Sequence, residues 1–316
     1  MSHADAVLLA FDAQGKLGQP LVLGIVTGSV YGLIALGLVL LYKSNRIFNF
    51  AQAEFGTIAA LTAFYGLNGS LFGIGWKMPW IVAVLVGILV GTLSAVLTER
   101  LVVRPLFNQP KVILVVGTVG VLLPAIAVES LVFPKSGVAS VPSVTEVGLK
   151  DPAFRVGFAA YNVQWEQVLT LAVLVVMALA AVAFFRYSRQ GTAILAVSQE
   201  PTAAATVGIS TSRVSLLTWT LAGFLGSVAG IVAIAGSPVL VPGVMTGTAL
   251  VGGITAAVLG GTTSLPGAFL GGMLVGLAQN YAQAFFTFPG AQNVVVGVLL
   301  LLVLLFFPKG LLGSET

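Results

Sequence analysis

Apolar runs about as long as a bilayer crossing follow one another along almost the whole chain, and that pattern leaves few folds open. A helical crossing needs about 20 consecutive apolar residues. The uninterrupted stretches fall at 20–42, 51–67, 79–98, 112–133, 164–185, 214–236, 248–262, 267–286 and 292–307. Only 8% of the residues are charged and 58% are hydrophobic, against about 25% charged in an ordinary soluble domain. A water-soluble globule is excluded. The expected fold is all-α, a polytopic transmembrane helical bundle in one domain over 1–316, with eight to ten crossings and about nine by direct count. The runs beginning at 51, 248 and 292 are short, so one or two are expected to be tilted, broken or re-entrant, with 248–262 a re-entrant candidate.

Basic residues in short connections orient such a bundle, because Lys and Arg resist translocation. Lys43 and Arg46, then Arg100, Arg104 and Lys111, then Arg186, Arg189 and Arg213, and finally Lys309, fall on one side under a nine-crossing count. That side is read as cytoplasmic. The amino terminus is then outside and the carboxyl terminus inside. Residues 1–19 carry Asp5 and Asp12 but no basic n-region, so no cleaved signal peptide is expected. Trp76, Trp80 and Trp165 fall next to predicted outer boundaries, where interfacial aromatics belong.

Several chemistries are absent from the sequence. There is no Cys, and the single His is His3, so disulfides, thiolate zinc sites and histidine-based catalysis are excluded. No cofactor or metal is expected on this chain. The net charge of +4 comes from basic residues scattered singly between apolar runs, without the patch that nucleic acid requires. The one Gly-Lys pair, Gly15-Lys16, is followed by Leu17 and matches no P-loop. If nucleotide hydrolysis drives this protein, a separate polypeptide carries it.

The longest outer connection, 134–163, contains Pro134, Pro142 and Pro152 and is long enough to meet another protein. Arg155 to Val163 within it has the makings of a short strand or hairpin; a plain connecting loop is the other reading. Glycine is abundant, 38 residues, and recurs at helical spacing. Gly24, Gly28 and Gly32 share a face of the first helix; Gly87 pairs with Gly91, Gly226 with Gly230, Gly267 with Gly271 and Gly272 with Gly276. Small residues four apart let helix backbones approach closely in lipid.

On the inner side, residues 186–213 interrupt the membrane pattern and are too long for a turn. Glu200 precedes Pro201, which suits a first helical position because proline has no amide hydrogen to leave unpaired. Gly208 suits the residue just past a helix end. Between them Thr202 to Val207 are small, and Arg189 and Arg213 flank the unit. A helix lying on lipid would show bulky apolar residues and a Lys-rich face. This one shows neither, so it fits a groove on a partner, with an inert, well-capped linker as the plain reading.

A second constellation occupies the first inner turn, Asn49-Phe50-Ala51-Gln52-Ala53-Glu54-Phe55. Asn49 and Gln52 have capping-box spacing and would start the second helix. Glu54 has two readings: a carboxylate favoured by the dipole at an interfacial helix start, or an intramembrane carboxylate, expensive and usually functional. Glu129, near the outer end of the fourth run, has the same two readings. No other acidic or basic residue falls well inside an apolar run, so these are the only candidates for proton coupling.

At these residues the sequence resembles the membrane permeases of branched-chain amino acid ABC importers, the LivH/LivM family. The resemblance runs through GSVYGLIALGLVLLYKSNRIFNFAQAEF (28–55), ERLVVRPL (99–106), GTAILAVSQEPTAAATVGISTSRV (191–214), TAAVLGGTTSLPGAFLGGMLVGL (255–277) and FFPKGLLG (306–313). The Asn-Phe-Ala form of the first turn is closer to the LivH-type subunit. Ala53, Thr192, Leu195, Thr262 and Thr263 depart from the family's usual pattern.

The resemblance implies a permease subunit in a bacterial plasma (inner) membrane, not an enzyme, importing branched-chain or other small apolar amino acids. Its partners would be two cytoplasmic ABC ATPases holding ATP and Mg, a paralogous LivM-type permease or a second copy of this chain, an extracytoplasmic solute-binding protein and membrane lipid. Glu200, Pro201, Ala204, Gly208 and Arg213 would form the ATPase-coupling region. Asn49, Gln52 and Glu54 are pathway or gating candidates. Gly24, Gly28, Gly32, Gly267 and Gly271 are assigned to helix packing. Urea or short amides remain open as solutes. So do an ion-coupled secondary transporter and a membrane scaffold as classes.

Overall fold

The computed structural model describes residues 18–69, 75–133, 137–138, 154–156, 161–234, 239–307 and 310–312. Their α-helices are α1 (Gly18–Asn45), α2 (Glu54–Leu67), α3 (Trp80–Thr98), α4 (Lys111–Val132), α5 (Trp165–Tyr187), α6 (Arg189–Gln199), α7 (Pro201–Thr206), α8 (Thr211–Ile234), α9 (Val244–Gly260), α10 (Leu265–Phe285) and α11 (Ala291–Phe306). A π-helical turn, Glu99–Val103, extends α3. Every apolar run has become a helix; α6 and α7 are the two that arise outside the runs.

Five helices, α1, α3 with its π-turn, α4, α5 and α8, are long and apolar enough to cross a membrane. The 21 residues of α10, at about 1.5 Å each, also match a hydrocarbon core of about 30 Å. The 14 residues of α2 do not. The non-helical residues 46–53 precede it and lie mostly buried in the bundle. Backbone of this kind survives at membrane depth only where protein satisfies it. The Phe50 amide accordingly donates to Thr118 Oγ1 of α4 at 3.2 Å, and the Ala51 amide to Asn49 Oδ1 at 3.0 Å.

Backbone contact between glycines sets the layering. A Cβ on Gly28 would meet Gly272 O at 2.8 Å, and one on Gly276 would meet Gly28 N at 2.2 Å, so α1 and α10 touch main chain to main chain. Gly267 and Gly271 do the same against Gly260 and Ala256 of α9. Gly24 abuts Leu277, and Gly32 receives the Leu174 side chain of α5. Gly87 and Gly91 of α3 seat on α2 at Ala59 and Phe55, while Gly226 and Gly230 of α8 seat on Gln52 and Gly56. The small-residue spacing read in the sequence thus marks helix contacts. The resulting core joins α1, α2, α8, α9 and α10. By contrast α4 and α5 leave most of their apolar side chains outward, as lipid-facing helices do.

The basic connections gather at one end. Lys43 Nζ donates to Thr263 O at 2.7 Å, and Arg46 Nη2 to Ser198 O at 2.9 Å. The amides of Leu311 and Leu312 return to the last carbonyls of α9, Leu259 and Gly260. At the other end two short antiparallel pairs form, β1 (Gly137–Val138) with β4 (Val239–Leu240) and β2 (Phe154–Val156) with β3 (Tyr161–Val163). The β2–β3 pair is the hairpin that Arg155 to Val163 suggested. The rest of the expected 134–163 loop, the first 17 residues and Lys309 lie outside the described residues.

Candidate functional site

The two intramembrane carboxylates that the sequence presents separately meet in space. Glu54, the first residue of α2, and Glu129, in the last turn of α4, are both buried, with 0% and 2% of their surface exposed. Both carboxyl groups reach the start of α9. Around them the start of α9 is tied down. The Thr246 hydroxyl donates to Glu54 Oε2. The Gly243 amide donates to Glu129 Oε2 at 3.0 Å, and the Met245 amide to Thr57 Oγ1 at 3.3 Å. Three otherwise orphaned groups at a helix start are so satisfied, and acidic side chains there are favoured by the helix dipole. Oε1 of each glutamate has no hydrogen-bond partner among the described residues.

The interfacial reading of Glu54 is therefore displaced. The Phe55 carbonyl lies against Gly91, midway along α3, and Gly56 lies against Gly226 and Gly230, midway along α8. Glu54 starts its helix deep in the bundle, because residues 46–53 have already carried the chain back inside.

Asn49 and Gln52 do not form the expected capping box. The residue capping α2 is Ala53, which offers no side-chain acceptor. Asn49 closes a tight turn on the Ala51 amide and donates through Nδ2 to Gln52 Oε1 at 3.3 Å. Gln52 Nε2 donates to Ala222 O of α8 at 2.8 Å. Both are fully buried, so the two amides brace a re-entering turn rather than begin a helix. The capping box in this protein is Gln164 with Gln167, at the start of α5.

At the basic end, α6 and α7 form an elbow, and the caps of α7 are the ones the sequence places. Ser188 Oγ accepts from the Gly191 amide at 2.8 Å. Glu200 caps α7, accepting from the Thr202 amide at 3.3 Å and from its hydroxyl. These bonds hold its exposed carboxyl below the usual glutamate range. Pro201 takes the first helical position. Past the end, Gly208 adopts φ +87°, and the Gly208 and Ile209 amides return to Ala205 O and Ala204 O, each at 3.0 Å. That is the Schellman pairing, which a glycine at this position allows without strain.

Ala204, taken from the sequence as part of the partner-facing surface, points the other way. It is 4% exposed and packs with Ile194, Val197 and Val214 of α6 and α8. One face of so short a helix must close on its own chain for the helix to hold. The outward face is instead Pro201, Thr202, Ala203, Ala205, Thr206 and Val207. Gly208 and Arg213 are exposed beside it.

Two buried acids escaped the sequence reading. Glu99 is 1% exposed and pairs with Arg104 at 3.4 Å across the π-turn. Glu166 is 6% exposed, and its Oε2 has no hydrogen-bond partner. Both stand at the edge of an apolar run, where a charge reads as interfacial. The Glu166 burial arises from α1, α8 and α9 folding over it.

A bundle of apolar helices closed by glycine seams, with polar groups buried at mid-depth and an elbow at its basic end, defines an integral membrane transport subunit. The chain matches, over residues 21–304, the family described as branched-chain amino acid transport system, permease component. It is 31% identical over 301 residues to the high-affinity branched-chain amino acid transport system permease protein LivH of Salmonella typhimurium, covering 92% of this chain and 93% of that one. To LivH of Escherichia coli strain K12 it is 32% identical over 297 residues, with the same coverage. To the permease protein BraD of Pseudomonas aeruginosa it is 30% identical over 305 residues, covering 93% and 95%. This chain belongs to the branched-chain amino acid permease family, as a transport subunit and not an enzyme.

Proposed function

We propose that the chain is the membrane-spanning subunit of an ATP-driven importer that carries branched-chain amino acids across a bacterial inner membrane. The chain crosses nine times, with its amino terminus outside. It pairs with a paralogous permease or a second copy of itself, receives solute from an extracytoplasmic binding protein, and is driven by two cytoplasmic ATPases that hold the ATP and Mg. The names and family of its relatives support the solute class.

The observation that carries the coupling role is the elbow. α7 presents a small, uncharged outer face to the medium, while Ala204 locks its inner face onto α6 and α8. Arg46 ties the end of α6 to the end of α1 through Ser198 O. Arg46 also opens the turn that leads to Gln52 and Glu54. A push on α7 from closing ATPases is thereby delivered to α8 through Val214 and to the buried carboxyl pair through residues 46–53. ATP shifts the balance between inward- and outward-facing forms by binding them unequally. The test replaces Ala203 with Trp in the complete transporter reconstituted with its ATPases and binding protein. Leucine uptake and solute-stimulated ATP hydrolysis are expected to fall together; if both persist at wild-type rates, α7 is not the coupling element.

A further inference from the structure

A cavity of about 280 Å³ opens between α1, α5, α8 and α9 at the end of the bundle opposite the elbow. That is near the lower bound of about 300 Å³ for small-molecule sites, and so suits a solute of a few heavy atoms. Its apolar wall comes from Val26, Val30 and Met245, and no basic side chain lines it.

Three hydroxyls of the lining are spent as donors. The hydroxyl of Thr170 donates to Glu166 O at 2.7 Å, that of Thr248 to Val244 O at 2.7 Å, and that of Tyr31 to Gln279. Each hydroxyl has spent its hydrogen on the protein and shows the cavity only lone pairs. Beside them lies the carboxyl of Glu166, buried and with Oε2 unpartnered. Leaving such a group unpaired is costly, and a cation bearing several N–H donors satisfies it best.

We infer that this cavity is a station for the transported solute, with Glu166 receiving the α-ammonium group of a zwitterionic amino acid and Val26, Val30 and Met245 receiving a short branched side chain. The inference rests on the amino-acid import reading and adds a place within the permease where the solute is held. The carboxylate end is left to the amide side chains of Gln164 and Gln167, which share the lining. Glu166 is here a counter-ion, positioned by the capping box on either side of it.

The test uses the full transporter in two formats. In proteoliposomes with the ATPases and binding protein, Glu166→Gln and the cavity-filling Ala233→Leu are each expected to lower tritiated leucine uptake tenfold or more. Both variants are first checked for assembly by size-exclusion chromatography. In detergent without the binding protein, tritiated leucine is expected to bind saturably to the wild-type transporter and to be displaced by 3-methylbutylamine, but not by 4-methylpentanoate or urea. Wild-type uptake by Glu166→Gln, or equal displacement by 4-methylpentanoate or urea, overturns the assignment. If a variant fails to assemble, the displacement series on the wild-type transporter decides. Absence of leucine uptake by the wild-type complex would instead strike at the import reading itself.

Discussion

Glu54 and Glu129 face each other across the start of α9, each holding one of its groups: Thr246 is bound by the first and the Gly243 amide by the second. Three helices are thereby joined at a single buried polar knot, and α4 has few other anchors, since only Leu114, Thr118 and Glu129 of its residues are buried. Replacing Glu129 with Ala strands the Gly243 amide. A cost of about 1–3 kcal/mol is expected for such unpaired buried groups, read as a lower unfolding temperature in detergent. Glu129→Gln, which keeps an acceptor for the Gly243 amide, is expected to stay near the wild-type value.

The glycine seams predict a sharp contrast between two chemically identical changes. Gly276→Ala places a methyl 2.2 Å from the Gly28 backbone nitrogen, where no side chain can give way. Gly120→Ala places the same methyl in open space on α4. The first is expected to destabilise by about 1–3 kcal/mol through overpacking. The second should be neutral or slightly stabilising, since alanine is the better helix former by about 1 kcal/mol. Thermal unfolding of the two variants side by side measures the difference.

The two faces of α7 separate folding from coupling. Ala204→Trp cannot be housed between Ile194, Val197 and Val214, and is expected to lower thermal stability and disorder the elbow. Ala203→Trp lies on the outward face and is expected to leave the unfolding temperature unchanged while uptake falls. Measuring both quantities in both variants distinguishes a lost partner contact from a broken fold.

Acid should loosen the same elbow. The hydrogen bonds from Thr202 hold the Glu200 carboxyl below its ordinary range, so the cap it makes is fully present above the unfolded value of about 4.3. That contribution is lost as pH falls through the lower folded value. Hydrogen exchange at the α7 amides, corrected for intrinsic rate, is expected to accelerate below pH of about 4. In Glu200→Gln the acid-dependent step is expected to vanish.

What was legible in the sequence follows the range of the forces involved. Each apolar run became a helix because length and hydropathy are local properties. The caps of α7 stand where Glu200, Pro201 and Gly208 predict, because a cap is settled within a few residues. Ala204 was misjudged because the inward face of α7 is set by α6 and α8, and a helix of uniformly small residues shows no apolar stripe to mark it. Asn49 and Gln52 carry the spacing of a cap, yet the chain uses them to brace a turn against Ala222, a partner far along the sequence. The meeting of Glu54 with Glu129 is of the same kind. No spacing rule connects them; only the packing of α2, α4 and α9 does.

The main-chain contact between α1, α9 and α10 has a mechanical consequence. Side chains can rotate to absorb a sliding motion, but peptide planes pressed against peptide planes have no such slack. These three helices therefore behave as a stiff keel. The loosely held flank of α4 and α5, with most of its apolar side chains outward, has the slack that the keel lacks.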